Sequence, residues 1–334
     1  MPTADAVTGA PRAASVRAMS ARRSSAWLVA ALAPVILVLA CARAEAQRPP
    51  PYTLEADFWK HWGDGQAELS GYTLRFPRYG VVRTGTAVAI FVTETFSKVA
   101  RVKADPGRHP KDDEFPVMKL NWVQSFPTGI YDYDTMLSTF VALADNGLQA
   151  TGEPTKIAYS SQEWCGHVYS QVRLERDVAQ FTSHSYFDGE GDQDGPLARP
   201  ADAIAEDALM LWARGLAAPV VAPGATVERK LLRSLERVRL EHKPIAYVDA
   251  KLSRGAAPET ITHRGGEVRV ERFVAEADVT TTFFVEVEVP RRVLRVQRSD
   301  GLEAELLATT RNKYWMLNAP GGERALSRLG LRAP

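Results

Sequence analysis

The sequence predicts a mainly β protein with few helices. Its strands form a long antiparallel meander, curved into an open sheet or open barrel, with a helix over 202–216 packed against it. Three observations carry this reading. Segments of period-two alternation recur from Ala67 to Thr309. The connections between them are rich in Gly, Asp and Pro, and short connections join consecutive strands as antiparallel neighbours. Apolar residues make up 45% of the chain and charged residues 24%, which suits strands with one buried and one wetted face.

The elements follow in order. Residues 54–62 form a short helix with Phe58 and Trp62 four apart on one face, stopped by Gly63-Asp64-Gly65. From Ala67 to Phe76, Leu69, Gly71, Thr73 and Arg75 oppose Tyr72, Leu74 and Phe76. Ala87–Thr93 is a β-rich run, and Val117–Val123 follows Pro116. Lys156–Ser160 and Trp164–Leu174 read as a further pair of strands. Asp188–Pro200 reads as a loop. Over 202–216, Asp202 is the expected N-cap and Ile204, Ala208, Leu211 and Leu216 the apolar face.

Glu236–Glu241, Ile245–Leu252, Val268–Val274 and Phe283–Val289 then alternate as strands. Val293–Gln297 and Leu302–Thr309 form a hairpin through Asp300-Gly301. The alternation is equally half-wet on both sides of the helix. Residues 54–334 are therefore expected to be one β-rich domain, with halves 54–200 and 226–320 sharing a sheet.

The N-terminus reads as an export signal. Arg22-Arg23 precede an apolar run, Ala26–Ala42, that is short for a membrane span and contains Pro34. Ala44-Glu45-Ala46 before Gln47 has the A-x-A pattern, which makes 1–46 a cleaved signal peptide. Val38-Leu39-Ala40-Cys41 offers a competing lipoprotein site, with the signal ending at Ala40 and Cys41 lipidated. Residues 47–53 are a Pro-rich spacer. The expected location is the periplasm or the outer membrane, with membrane contact only through a lipid anchor at Cys41. The balance of 41 basic to 40 acidic residues argues against nucleic acid as a partner. There is no dinucleotide fingerprint and no Walker loop, and no cofactor is expected.

One segment concentrates reactive side chains. If Ser160–Tyr169 is a continuous strand, Glu163, Cys165 and His167 share one face, with neighbours about 6.6 Å apart. That spacing permits a Cys–His pair or two metal ligands, whereas zinc needs three or four. Cys165, beside Trp164, Val168 and Tyr169, is expected to be a small buried residue. Glu190, Asp192 and Asp194 match the first positions of a calcium loop, but Ala201 stands where the bidentate Glu belongs. Asp132 and Asp134 fit a turn lip, and Asp57 with His61 a surface pair. Trp62, Trp122, Tyr131 and Trp164 are candidates to line a ligand site, against the simpler reading as core.

Gly80–Glu94 (GVVRTGTAVAIFVTE), Phe115–Asn121 (FPVMKLN), Thr128–Asp132 (TGIYD) and Gln162–Tyr169 (QEWCGHVY) resemble an uncharacterised family of exported bacterial proteins, many of them lipoproteins. The resemblance covers roughly 55–175 and implies export without an established activity. Some members carry the name septum formation inhibitor Maf. Maf nucleotide pyrophosphatases need an S-x-S-P-R-R loop that this chain lacks, so that activity does not follow. Together these readings favour a non-catalytic envelope protein that binds an apolar or amphipathic ligand, such as a lipid. An envelope enzyme using the Glu163/Cys165/His167 face and a protein-interaction component are the alternatives, with protein partners unspecified.

Overall fold

β-Branched and aromatic residues on alternate positions favour a pleated, half-buried surface. In the computed structural model, which describes residues 52–332, they build one 16-stranded sheet. The export signal, Cys41 and most of the Pro-rich spacer lie outside the described residues.

After a short helix α1 (Phe58–Trp62), eight strands follow one another as antiparallel neighbours. They are β1 (Ala67–Arg78), β2 (Val81–Ser97), β3 (Glu114–Pro127), β4 (Asp132–Ala142), β5 (Pro154–Glu163), β6 (Gly166–Leu174), β7 (Val178–Ser185) and β8 (Gln193–Ala198). The chain then makes β9 (Ala203–Ala205), α2 (Leu209–Ala213), β10 (Thr226–Leu232) and α3 (Leu235–Leu240). It finishes with β11 (Tyr247–Arg254), β12 (Glu259–His263), β13 (Gly266–Glu276), β14 (Thr281–Glu286), β15 (Val293–Arg298) and β16 (Glu303–Asn312). β16 returns to pair with β1, so both halves of the chain lie in one sheet with β8 at one edge and β9 at the other. Among the described residues, only β9 and β10 pair in parallel.

This connectivity forces the sheet to curl. The fifteen strands from β8 to β9 would span roughly 65 Å if flat, at about 4.8 Å per neighbour. Yet only residues 199–202 join the two edges, and that link reaches at most about 17 Å. The edges must therefore approach each other, giving an open barrel.

Short helices fill the interior. Phe58 and Trp62 of α1 and Leu211 and Trp212 of α2 join the inward Tyr72, Leu74, Phe76 and Phe91 in one buried cluster. Arg214, just after α2, donates to Glu68 at 2.7 Å, with both side chains buried. Burial pushes the Glu68 carboxyl up, but Arg214 and His61 more than offset this and hold it at about 2.

Several expectations need correction. The segment 202–216 is not one helix: it starts with strand β9, passes through a 3₁₀ turn at Glu206–Ala208 and is helical only over Leu209–Ala213. Asp202 caps nothing, because α2 begins seven residues later. Glu236–Glu241 is not a strand. It lies largely in α3, where Ser234 caps by accepting from the Glu236 N–H at 3.2 Å and Arg237 pairs with Glu241 one turn on. The loop over 188–200 contains strand β8. The strand through Ser160–Tyr169 is broken by a turn at Trp164-Cys165.

Candidate functional site

The turn at Trp164-Cys165 scatters the reactive trio. Glu163 ends β5 facing inward, and its Oε2 accepts the Cys165 N–H at 2.7 Å. Cys165 sits on the turn and is exposed, contrary to the expected burial, because a two-residue hairpin tip has nothing above it. The Glu163 carboxylate, hydrogen-bonded to the thiol, raises its pKa, the opposite of what a nucleophilic thiolate needs. His167 starts the outer face of β6 and borders a shallow external groove with Asp134 and Met136. The three side chains therefore share no face.

The acidic loop also disperses. Glu190 binds His242, Asp192 bonds the His184 ring at 3.0 Å, and Asp194 lies in β8 accepting from Thr182 at 2.8 Å. Among the described residues, no group of three His, Cys, Asp or Glu side chains is placed to hold a metal.

The four aromatics separate by depth. Trp62 is core, 5% exposed. Tyr131 and Trp164 stack on the barrel rim with centroids 6.0 Å apart, and Trp164 is 73% exposed. Trp122 points inward from β3, edge-on to Tyr72 at 5.2 Å, and lines a cavity inside the barrel.

That cavity has a volume of about 100 Å³. Leu120 and Trp122 of β3, Leu137 of β4, Phe283 of β14, Val296 of β15 and Leu302 form its apolar walls. Met210 of α2 closes one side. Its polar side is made by Glu206, Asp207, Ser234, Glu236 and Arg298.

Each charge there is held by a named partner. Glu206 accepts from Arg237 at 3.0 Å and from the Ser234 N–H at 3.0 Å. Asp207 accepts the Leu235 N–H at 3.1 Å. Glu236 takes Arg298 at 3.3 Å and the Gln124 amide N–H. Arg237, only 1% exposed, also reaches Asp278 at 3.0 Å and Glu241 at 2.7 Å. Burial drives the Asp207 carboxyl up to about 7, and burial raises Glu206 as well despite Arg237. Two buried atoms nearby stay unpaired: the Gln124 side-chain oxygen, whose amide nitrogen is committed to Thr135 and Glu236, and the Tyr159 hydroxyl.

An apolar chamber with carboxylates at one side suits a small amphipath whose donor group meets the acids. Sequence reasoning found Trp122 but missed the polar side. Glu206-Asp207 reads as the wet face of a helix, and Glu236-Arg237 as the wet face of a strand. The available signal was Ser234 followed by Glu236, a cap before a charged turn.

No family model and no curated protein matches the sequence. Among solved structures, the chain is similar to the crystal structure of a beta-barrel-like protein of domain of unknown function DUF1849 from Brucella abortus. The two are 10% identical, the match covers 75% of this chain and 99% of that one, and the TM-score is 0.43.

Proposed function

We propose that this chain is an exported cell-envelope protein that binds, without catalysis, a small amphipathic molecule inside its β-barrel. The observation that carries the reading is the cavity beside Trp122, apolar on most sides and closed by Glu206, Asp207 and Glu236. Its size, about 100 Å³, favours a short alkyl or aryl body over a full lipid chain. The acids favour a head that donates hydrogen bonds, such as an ammonium, amide or hydroxyl group. Export rests on the N-terminal pattern, with Cys41 either removed or lipidated.

Native mass spectrometry of the protein isolated from its own envelope tests this. An added small mass, released on denaturation, is expected in the wild type and absent in Leu137→Trp, which fills the cavity. A wild type carrying only its own mass, or a mass retained in Leu137→Trp, would overturn the assignment. The mass of the mature chain reads processing at the same time.

A further inference from the structure

The two rims of the barrel differ in their turn residues. On one rim, the β4–β5 and β6–β7 connections carry Asp145-Asn146-Gly147 and Glu175-Arg176-Asp177, while β2–β3 and β14–β15 expose the aliphatic Val99 (85%) and Val289 (82%). On the other, four successive hairpins each present a bulky apolar residue to solvent. Tyr79 lies on β1–β2 at 58% exposed, Ile130 on β3–β4 at 82%, Trp164 on β5–β6 at 73% and Tyr186 on β7–β8 at 71%.

These tips form a ridge whose members are joined from beneath by the buried Tyr133. Tyr79 meets Tyr133 at 6.4 Å, Tyr133 meets Tyr131 at 6.1 Å, and Tyr131 stacks on Trp164. The Tyr186 ring closes the far end against Gly166, where a Cβ would lie 2.5 Å from the ring. Glycine at 166 is what lets Tyr186 lie against the neighbouring hairpin.

From this ridge we propose that the rim docks on an electrically neutral lipid surface, with the four tips entering the headgroup region. Tyr and Trp have an apolar body and a polar tip and settle at that depth, and isolated apolar side chains on separate tips can each enter a fluid interface. The charges select among lipids. Arg78 is the basic residue at the base of the first tip, and its guanidinium turns inward to the Leu240 carbonyl and the Tyr133 hydroxyl. Glu163 is folded back on the Cys165 N–H, while Asp132 and Asp188 remain exposed. The four tips themselves carry no outward Lys or Arg, and the exposed His242 and Lys243 beside the β7–β8 tip are engaged by Glu190 and Glu241, so this rim gains little from anionic headgroups. This proposal is independent of the cavity and its ligand.

Vesicle co-sedimentation tests it, with every variant expressed from the full gene so that all share one N-terminus. The wild type should partition onto zwitterionic phosphatidylcholine vesicles equally at low and high salt. The triple variant Ile130→Ser, Trp164→Ser, Tyr186→Ser should lose on the order of a hundredfold in partitioning. Val99→Ser, at an exposed position on the opposite rim, should match the wild type. Unchanged melting of the variants confirms their folding. Equal binding by the triple variant, or binding only to anionic vesicles and lost in salt, would overturn the proposal. So would tip-dependent pairing of two copies in sedimentation without any partitioning, which would make the ridge a protein interface.

Discussion

At the scale of single residues, two side chains depart from their ordinary chemistry in opposite settings. Cys165 is exposed, yet the Glu163 carboxylate hydrogen-bonded to its thiol raises the thiol pKa. A thiol reagent should therefore modify it completely in the folded protein, but slowly. Glu163→Gln should speed the reaction at neutral pH by releasing the thiolate. Peptide mapping that found Cys165 unmodified, or a rate unchanged in the variant, would contradict this. Asp207 is the buried case. Its carboxyl keeps its proton in the fold up to about 7, against an ordinary value of 3.8. The folded state thus binds this proton more tightly than the unfolded chain does. The resulting stability is fully present below the ordinary carboxylate value and is lost as pH rises toward 7. Asp207→Asn stays neutral throughout and keeps an oxygen for the Leu235 N–H. It should flatten the decline in stability over that window, by a few kcal/mol at most at about 1.4 kcal/mol per pH unit. Urea midpoints of the two proteins, measured across the window, would run parallel if Asp207 titrated normally.

At the scale of elements, close approach decides what the C-terminal segment can do. A 3₁₀ segment, Gly322–Leu329, lies on the outer face of β1, and a Cβ on Gly71 would sit 2.3 Å from the Leu329 carbonyl oxygen. Backbone cannot yield as a side-chain end can. Gly71→Ala should therefore lift this segment from the sheet, at a cost of about 1–3 kcal/mol. Amide exchange over 322–331 should rise in the variant, and unaltered protection would show that the contact gives way cheaply. The same close approach could not be read from the sequence, where Gly71 is one more position in an alternating run. Strands with a strong period of two were legible: β1, β13 and the β15–β16 hairpin lie where Tyr72-Leu74-Phe76, Val268–Val274 and Asp300-Gly301 place them. Short helices inside the barrel were not. Val238 and Leu240 alternate with charges as a strand would; the Ser234 cap and the buried partners of Arg237 make the segment helical. Ile204, Ala208 and Leu211 fit helical spacing, although a strand, a 3₁₀ turn and a helix divide them. The polar side of the cavity was hidden for the same reason, since Glu206, Asp207 and Glu236 belong to these misread pieces.

At the scale of the whole molecule, the order of strands makes the two halves depend on each other. β1 pairs with β2 on one side and with β16 on the other, in a register running from Ala67 with Asn312 to Arg75 with Glu303. Removing residues 226–334 would strip β1 of this partner and expose the ladder of a long strand. It would also uncover inward faces that α3, β14 and β15 now bury, including Leu120 and Phe126. A fragment ending at 200 should therefore be insoluble, and so should 203–332 alone. Mixing the two from denaturant should restore a soluble complex, because the break falls in the short link between β8 and β9, which are not paired with each other. A soluble 49–200 fragment that melts cooperatively would show that the first eight strands close their own core, and the mutual dependence would fail. The demand for both halves also explains how the cavity is built. Leu120, Trp122 and Leu137 come from the first, Glu206, Asp207, Glu236 and Phe283 from the second, so neither half-chain supplies the whole lining.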